Sequence, residues 1–384
     1  MDKLRPQAIG GALVLMAATV SFSALDAAVG GRAAAGTLSC GDTITVDTTL
    51  GSDLSDCPSN GLVIGADNIT LDLNGHTIDG DNTLVDPCPD GEFCDVGVAN
   101  DGHNGVRVTN GSVKEFAVGV FIVGSRGNQV VGVSSSGNAF FGFIVAGSAR
   151  SVIRNSSGND NVPPEGDGLA LFGSHDIRVV DNTFRRNGLG IHVEDSTDNV
   201  IRGNLISRNE GPGIFMQADR NQMRGNVCRH NGICILVGPG SGNTIARNRV
   251  EGGVGGIGIE KGRHNLVLRN VVTRTRKVGI NLGIASPPIG GRSNVVRGNV
   301  VRGSGTDAFK VHKKDGHSVL KHNVARGAGD DGFSIRSRRA RLTGNRAMGN
   351  DDLGIQAIPG VIDGGGNIAR RNGDRRQCVN ISCS

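Results

Sequence analysis

Residues that could act as acids, bases or ligands recur with the same spacing in two segments near the end of the chain. Asp307 precedes His312 by five residues, with Lys310 between them, and Asp331 precedes Arg336 by five. A neutral imidazole or amine can remove a proton, a guanidinium can bind a carboxylate through two hydrogen bonds, and carboxylates can bind a hard cation. The two segments can act together only if the fold places them side by side.

Two reactions and one binding function use these residue types. Proton abstraction beside a uronate carboxylate requires a base and a cation that stabilises the enolate. This chemistry predicts His312 or Lys310 as the base and Arg336 as the clamp on the carboxylate. The enzyme would be a polysaccharide lyase, or a C5-epimerase if the proton returns on the opposite face. Glycoside hydrolysis requires two carboxyl groups instead, and binding without turnover requires only the charges.

The aspartates at positions 307, 330 and 331 admit two further interpretations. They could bind Ca²⁺ through carboxylate oxygens. Aspartate also favours turns for purely structural reasons. His312 and two later histidines recur every five residues. Strand alternation and an intervening turn would separate these histidines, so the sequence does not predict a shared histidine site.

The elements that must position these residues come from a repeat of about 22 residues. Asparagine recurs at one position of the repeat, at residues 155, 182, 204, 226, 248, 270, 299, 323, 345 and 367. Short segments in which apolar and polar residues alternate surround it, and such alternation is typical of strands. A coil of this size can bury its apolar face only by stacking on the next coil. The sequence therefore predicts an all-β fold, a single-stranded right-handed parallel β-helix (solenoid) of about eleven coils with an Asn ladder.

The second strand of each coil is expected to carry the functional face. Its outward positions form two columns of side chains, which are apolar in the early coils and polar from His192 onward. Stacking at about 4.8 Å per coil would bring the two reactive segments into one patch. The catalytic candidates are Lys310, His312, Arg336, Asp307 and Asp331, and the predicted substrate-binding residues are His192, Glu194, Gln217, Glu260, Asn281, Ser334 and Gln356. An insertion at residues 284–291 is predicted to form a wall beside the patch.

The N-terminus and the cysteines both indicate export. A short basic start, an apolar run at residues 8–20 and a tail of small residues form the pattern of a secretory signal peptide, with cleavage near Ala27 or Ala35. Eight cysteines form four pairs that are close in sequence, without a Cys-x-x-Cys motif, which favours disulfides over a zinc or redox site. The predicted disulfides are Cys40–Cys57, Cys88–Cys94, Cys228–Cys234 and Cys378–Cys383. We expect a secreted, periplasmic or cell-surface protein with no membrane span after signal removal.

Charge is distributed unevenly along the chain. Residues 36–100 contain 12 acidic and no basic residues, whereas residues 261–350 contain 19 Lys or Arg and 4 Asp. A basic region attracts polyanions, so an anionic polysaccharide is the predicted partner. Nucleic acid is not expected, because aromatic residues are 3% of the chain and no binding module is recognised. The chain also lacks Trp and Tyr, on which sugars commonly stack, and this absence favours a role in binding or surface structure.

The sequence divides into four parts. Residues 1–35 are assigned to the signal peptide, residues 36–100 to an N-terminal cap and the first coils, residues 101–372 to the β-helix repeats, and residues 373–384 to a disulfide-closed tail. The protein is expected to be a monomer.

The Asn ladder and the strands of the form Gly-[Ile/Phe]-x-[Ile/Val] resemble the repeats of secreted pectate-lyase-like and NosD-like parallel β-helix proteins. Residues 40–44 (Cys-Gly-Asp-Thr-Ile) and 69–76 (Ile-Thr-Leu-Asp-Leu-Asn-Gly-His) are similar to the opening coils of that group. The resemblance implies this fold over nearly the whole mature chain, with substrate along the outward face of one stacked strand. It does not select an activity, because β-helices host lyases, epimerases, glycosidases, adhesins and noncatalytic accessory proteins.

Two further motifs bear on the choice of enzyme. Residues 305–309 (Gly-Thr-Asp-Ala-Phe) and 329–333 (Gly-Asp-Asp-Gly-Phe) resemble the Asn-Thr-Asp and Gly-Asp-Asp motifs of polygalacturonases, but that family's Gly-His-Gly and Arg-Ile-Lys motifs are missing. The Tyr or Asp-Pro-His-like motif of an alginate epimerase is also missing. The sequence therefore predicts lyase- or epimerase-type action on, or binding of, an anionic polysaccharide. The alternative is a noncatalytic binding, surface-structural or NosD-like accessory protein, and a polygalacturonase-like hydrolase is the lesser alternative.

Overall fold

The structure is a computed structural model that describes residues 38–84, 94–163, 166–283 and 290–384. These residues form 41 β-strands without a helix and belong to one compact unit. Each strand stacks in parallel on the equivalent strand of the next coil, as in the pairing of Ile280–Leu282 with Phe309–Val311. The predicted all-β parallel β-helix is confirmed. The predicted signal peptide lies outside the described residues, among which no helix is long and apolar enough to cross a bilayer.

Sheet 1 takes one strand from each coil and contains fifteen strands. It corresponds to the second strand of the sequence repeat, in which a glycine precedes an alternating apolar segment. Its strands are Asp42–Ile44, Leu62–Ile64, Val96–Asp101, Val118–Val123, Phe141–Ala146, Asp167–Phe172, Leu189–Glu194, Ile214–Gln217, Ile233–Val237, Gly255–Ile259, Ile280–Leu282, Phe309–Val311, Phe333–Ile335, Ile355–Ala357 and Cys378–Val379.

The remaining strands form sheets 2 and 3, which lie on either side of the recurring asparagine. Sheet 2 consists of Thr48–Thr49, Thr70–Asp72, Val152–Arg154, Arg178–Val180, Val200–Arg202, Gln222–Arg224, Thr244–Ala246, Leu266–Leu268, Val295–Arg297, Val319–Lys321, Arg341–Thr343 and Ile362–Asp363. Sheet 3 consists of Leu54–Cys57, Thr77–Gly80, Ser157–Asn159, Thr183–Arg185, Leu205–Ser207, Val227–Arg229, Arg249–Glu251, Val271–Thr273, Val300–Arg302, Val324–Arg326, Arg346–Met348 and Ile368–Arg370. Two long strands, Arg107–Lys114 and Gln129–Ser136, run through both sheets.

The solenoid therefore has about fifteen coils, not the eleven expected from sequence. The expected number was too low because it followed the asparagine repeat, which does not reach the first coils. At the corner between sheets 2 and 3, Ser156 holds the ladder position, and its backbone N–H donates to Asn182 Oδ1 at 2.9 Å. Val133 and Gly111 lie at this corner in the two preceding coils. Asn155, which the repeat placed in the ladder, lies beside it with a left-handed φ of 51°.

Buried asparagines link the coils at all three corners. At the corner between sheets 2 and 3, Asn226 Nδ2 donates to Asn248 Oδ1 at 3.1 Å and to the Ile201 carbonyl at 3.0 Å. Its own Oδ1 accepts the backbone N–H of Asn204 at 3.0 Å. The other two corners hold ladders that the sequence analysis did not identify, formed by Asn199, Asn221, Asn243, Asn265 and Asn294 and by Asn138, Asn161, Asn187, Asn209 and Asn231. These amides satisfy backbone groups that the bends would otherwise leave unpaired.

The core is a continuous column of Val, Ile and Leu side chains with a few Phe rings. β-branched residues suit this position, because they pack well on the pleated surface of a sheet. Near the candidate site, the rings of Phe309 and Phe333 stack with centroids 4.6 Å apart. These buried rings anchor two neighbouring strands of sheet 1, whose alternate side chains point outward.

Three of the predicted disulfides are present, Cys40–Cys57, Cys228–Cys234 and Cys378–Cys383. Cys94 is also disulfide-bonded, whereas its predicted partner, Cys88, lies outside the described residues. The part of the chain that the structure describes contains no free cysteine. The bonds close short loops, and the last one ties down the end of the chain.

Candidate functional site

Strand pairing in sheet 1 places residues of the first predicted column in one register. Lys310 lies between Asn281 and Ser334, and Gln356 follows Ser334. The second column begins just beyond these strands, where the Arg336 N–H donates to the Val311 carbonyl at 2.8 Å and continues the ladder. Side chains of adjacent coils in one column are therefore about 4.8 Å apart.

Three aspartates form a compact acidic cluster at the start of these strands. Asp307 and Asp331 occupy equivalent positions in neighbouring coils, two residues before the paired Phe309 and Phe333. One carboxylate oxygen from each of Asp307, Asp330 and Asp331 lies within 4.8 Å of the other two. Asp307 and Asp331 are buried, whereas Asp330 is exposed. The cluster therefore opens to solvent on one side.

Lys310 is bound to the cluster. Its Nζ donates to Asp307 Oδ2 at 2.6 Å, and the Asp307 side chain is only 1% exposed. The other oxygen, Asp307 Oδ1, is buried and has no hydrogen-bond partner among the described residues. A buried oxygen without a donor is costly, so this atom is available to a cation or a ligand hydroxyl.

Asp331 holds its proton more tightly than an ordinary aspartate. Burial raises its pKa to about 7, with the negative charge of Asp330 adding to the effect. Burial also raises the pKa of Asp330, and the charge of Asp307 acts in the same direction. One Asp331 oxygen accepts the backbone N–H of Leu353 at 3.2 Å. The carboxyl therefore also helps to hold the backbone in place. Near neutral pH, Asp331 can therefore donate a proton.

His312 has the opposite shift. Its partial burial lowers its pKa, and the positive charge of Lys310 lowers it further. The imidazole is thus neutral at pH 7 and can accept a proton. Arg336 also lies close enough to disfavour the charged imidazole. Its side chain is exposed, and Nη2 donates to Gln356 Oε1 at 2.9 Å.

The neighbouring polar residues lie on the same face, but none of them is assigned as the acid or the base. Ser334 is 1% exposed, and its Oγ has no partner among the described residues. Asn281 Nδ2 donates to the Gly283 carbonyl at 2.9 Å, while its buried Oδ1 is likewise unpartnered. Glu260, two coils before Lys310, is partly buried, which raises its pKa. The predicted wall lies mostly outside the described residues, which resume at Gly290.

His192, Glu194 and Gln217 lie in the same columns but away from this cluster. His192 is five coils before Lys310, which corresponds to about 24 Å along the solenoid. Its Nδ1 lies 3.2 Å from Asp167 Oδ2, and its Nε2 lies 3.6 Å from Glu194 Oε2. The predicted substrate-binding residues thus form two separate groups on one face.

Asp167 was not identified from sequence. It is buried, which raises its pKa, and it accepts the Leu189 N–H at 3.2 Å, just as Asp331 accepts that of Leu353. Both aspartates begin an Asp-Gly-apolar segment at the start of a strand. This shared motif was the signal that could have located Asp167. The ring of His192 also contacts Phe172 and Phe215, with centroids 5.2 and 5.5 Å away.

A known protein family matches this chain. The NosD family model, described as periplasmic copper-binding protein, matches residues 74–250 and 230–365. The chain belongs to the NosD family. That family is periplasmic, which agrees with the predicted export, and the disulfides fit an extracellular protein. The sequence has no significant match among curated proteins.

The three aspartates of the acidic cluster do not suit copper. Imidazole, thiolate and thioether groups suit copper, whereas carboxylate oxygens suit hard cations. Among the described residues, the group of three or more potential ligands consists of the three aspartates of the acidic cluster. Each described cysteine is disulfide-bonded. The cluster therefore fits Ca²⁺ better than copper.

Solved structures share the fold. The catalytic domain of a GH87 α-1,3-glucanase in complex with tetrasaccharides gives a TM-score of 0.56 at 14% identity, over 73% of this chain and 63% of that one. The Azotobacter vinelandii mannuronan C-5 epimerase AlgE4 A-module gives 0.43 at 14% identity, over 78% and 79% of the two chains. PfbA, a surface adhesin of Streptococcus pneumoniae, gives 0.42 at 10% identity, over 82% and 84%. The chain matches less than two thirds of the glucanase domain, and such identities show the fold alone.

Proposed function

We propose that this protein acts on an anionic polysaccharide at the candidate site by removing a proton beside a uronate carboxylate. The opposite pKa shifts of His312 and Asp331, in one cluster of charges, carry the proposal. A neutral base and a protonated acid, both influenced by the charge of Asp307, are the two groups that proton transfer in both directions requires. The family's periplasmic location and the predicted polyanion partner are consistent with this substrate class.

The reaction assigns one role to each group. Neutral His312 accepts the proton from C5 of the uronate, and the electrons of the C–H bond form the C4–C5 double bond as the C4–O bond breaks. Protonated Asp331 gives its proton to the departing oxygen. This elimination is that of a lyase. In the epimerase variant the C4–O bond stays intact, and a proton returns to C5 on the opposite face.

Positive charge must stabilise the carboxylate as its enolate forms. Arg336 is exposed and can bind the carboxylate through two hydrogen bonds. Lys310 supplies a second charge, although its ion pair with Asp307 makes it a weaker candidate than His312 for the base. A Ca²⁺ ion held by Asp307 and Asp330, with Asp331 left protonated, would add further positive charge, since Asp307 Oδ1 lacks another partner among the described residues.

An inverting hydrolase fits the geometry less well than proton abstraction does. An inverting glycosidase keeps its two carboxyl groups about 6.5 to 9.5 Å apart, because a water molecule must fit between them and the sugar. The acidic cluster is tighter, with oxygens within 4.8 Å of one another. This closeness favours a shared proton or a bound cation.

Binding without turnover is the second candidate function. It is favoured by the lack of Trp and Tyr in the chain, which leaves Phe as the only aromatic residue available for sugar stacking. In that case the charges of the candidate site would hold the polymer without reacting with it.

The test is turnover of a panel of polyuronates, with and without Ca²⁺. Lyase products are detected by the ultraviolet absorbance of the unsaturated uronate, and epimerised products by NMR of the recovered polymer. His312→Gln should abolish turnover, whereas His264→Gln, which changes an exposed histidine at a corner, should preserve it. Full activity of His312→Gln would exclude His312 as the base. If the wild-type protein turns over no polyuronate, binding without turnover becomes the leading function.

A further inference from the structure

One corner of the solenoid carries a cation in each of six successive coils. At the corner between sheets 2 and 3, Arg202 pairs with Arg224 in the next coil, and Arg297, three coils after Arg224, pairs with Lys321. In the two coils between these pairs the strand ends in an apolar residue, and the next residue is an arginine. We call this set the basic ridge, and it consists of Arg202, Arg224, Arg247, Arg269, Arg297 and Lys321.

The backbone ladder continues through the two coils in which the cation lies one residue further along the chain. The Arg247 N–H donates to the Leu268 carbonyl at 3.0 Å, and the Arg269 N–H donates to the Arg297 carbonyl at 3.0 Å. The asparagine ladder runs beneath the same corner without a break from Asn204 to Asn323. The cations are therefore spaced by about 4.8 Å per coil along the axis.

The ridge cations form no ion pairs within the described part of the chain. None of the six forms an ion pair with a described carboxylate, whereas arginines at other corners do, such as Arg220 with Asp198. The five arginines are exposed, and Lys321 is partly exposed. Asp181 borders the ridge only at its first coil. Like charges in a row repel one another, so an anionic partner would gain from the whole row.

The ridge is separate from the candidate site. Each coil passes from sheet 1 to sheet 2, then to sheet 3, and back to sheet 1. The corner between sheets 2 and 3 is thus the one corner that sheet 1 does not share. A ligand on the ridge would not occupy the face that carries His312 and Arg336.

We propose that the basic ridge binds a linear anionic polysaccharide, extended along the solenoid axis with about one acidic group per coil. One sugar residue of an extended polyuronate is similar in length to the coil spacing, and it carries one carboxylate. A convex corner touches a flat bilayer along only a single line, and a nucleic acid duplex curves its phosphates away from that line. A straight polyanion uses all six charges. The proposal shares its polymer class with the proposed function but does not depend on turnover.

The test measures the affinity of the full chain for polygalacturonate over a range of salt concentrations. The Arg224→Gln/Arg297→Gln double variant should bind at least about tenfold more weakly at low salt, and its slope of log affinity against log salt should fall by about one to two. The control, Arg126→Gln/Arg150→Gln, removes two exposed arginines from another corner and should bind like the wild type. Melting curves confirm that both variants fold.

Three outcomes would overturn the proposed binding at the ridge, and a fourth would separate it from the proposed function. Equal losses in both double variants would show an effect of net charge alone. Binding that Arg336→Ala abolishes and the ridge variant leaves intact would assign the polymer to sheet 1. Ridge-dependent binding to anionic vesicles, without binding to polygalacturonate, would indicate a membrane partner. Ridge-dependent polymer binding in a protein without turnover would support the ridge while refuting the proposed function.

Discussion

Asp331→Asn should make the protein less sensitive to alkaline pH. The substitution keeps the shape of the side chain and an oxygen that can accept the Leu353 N–H, which Asp331 now accepts at 3.2 Å. It removes the ionisable group. Asp331 is 2% exposed, and its pKa in the folded protein is about 7 against an ordinary value of 3.8. Any change in pH dependence therefore reports the cost of ionising this buried carboxyl.

The sign follows from proton binding. Between about pH 4 and pH 7 the folded protein binds more protons at this position than the unfolded chain, so stability falls as pH rises, and the loss is complete above the folded pKa. A shift from 3.8 to about 7 corresponds to about 4 kcal/mol over the full range. Between pH 5 and pH 8 the wild type should lose about 2 to 3 kcal/mol through Asp331 alone. The variant should not show this component.

The assay is urea denaturation of both proteins at pH 5 and pH 8, in the presence of a chelator that removes divalent cations. The difference between the two proteins isolates Asp331 from Asp95 and Asp315, whose pKa values burial also raises to about 6. Identical pH dependence in wild type and Asp331→Asn would refute the conclusion that burial keeps Asp331 protonated.

Three further outcomes are expected. Arg336→Ala should lower turnover of an active polyuronate by about 10²-fold without a change in melting temperature, whereas Lys261→Ala should leave turnover unchanged. Full activity of Arg336→Ala would place the carboxylate clamp elsewhere. Asn226→Ala should lower the free energy of unfolding by about 3 kcal/mol in urea denaturation, because it removes several buried hydrogen bonds, whereas Asn155→Ala should lower it by about 1 kcal/mol. Similar losses in the two variants would contradict the ladder assignment. Adding Ca²⁺ to chelator-treated protein should raise the melting temperature more at pH 8 than at pH 5, since the aspartates must be ionised to bind the ion. No shift in melting temperature at either pH would exclude the calcium site.

Much of the candidate site could be predicted because a solenoid repeats a local rule. The period of two residues within a strand assigned His312 and Arg336 to the outward face, and the period of about 22 residues placed Lys310 over Ser334. Both rules act along the chain, so a single sequence contains them. The disulfides were accessible for the same reason, since each pair that the structure shows is close in sequence.

The coil number and the extent of the ladders could not be obtained in this way. Ser156 replaces asparagine at the ladder corner, and the coils before it use other residues there. A corner needs a group that satisfies the backbone, and several side chains can do so. Counting one residue type therefore missed the first coils and two of the three ladders.

The chain by itself determined the stacking, the strand register, three of the cysteine pairs and the charge on each segment, because these depend on neighbours along the sequence. Only the tertiary structure decided which charges meet and how they titrate. Asp331 owes its pKa to burial between coils, and Asp167 meets His192 across a coil boundary. The basic ridge is the clearest case, since four of its cations end a strand and two are the corner residue that follows the strand. Their positions differ in the repeat, and they gather at one corner only because parallel pairing stacks every corner on the next.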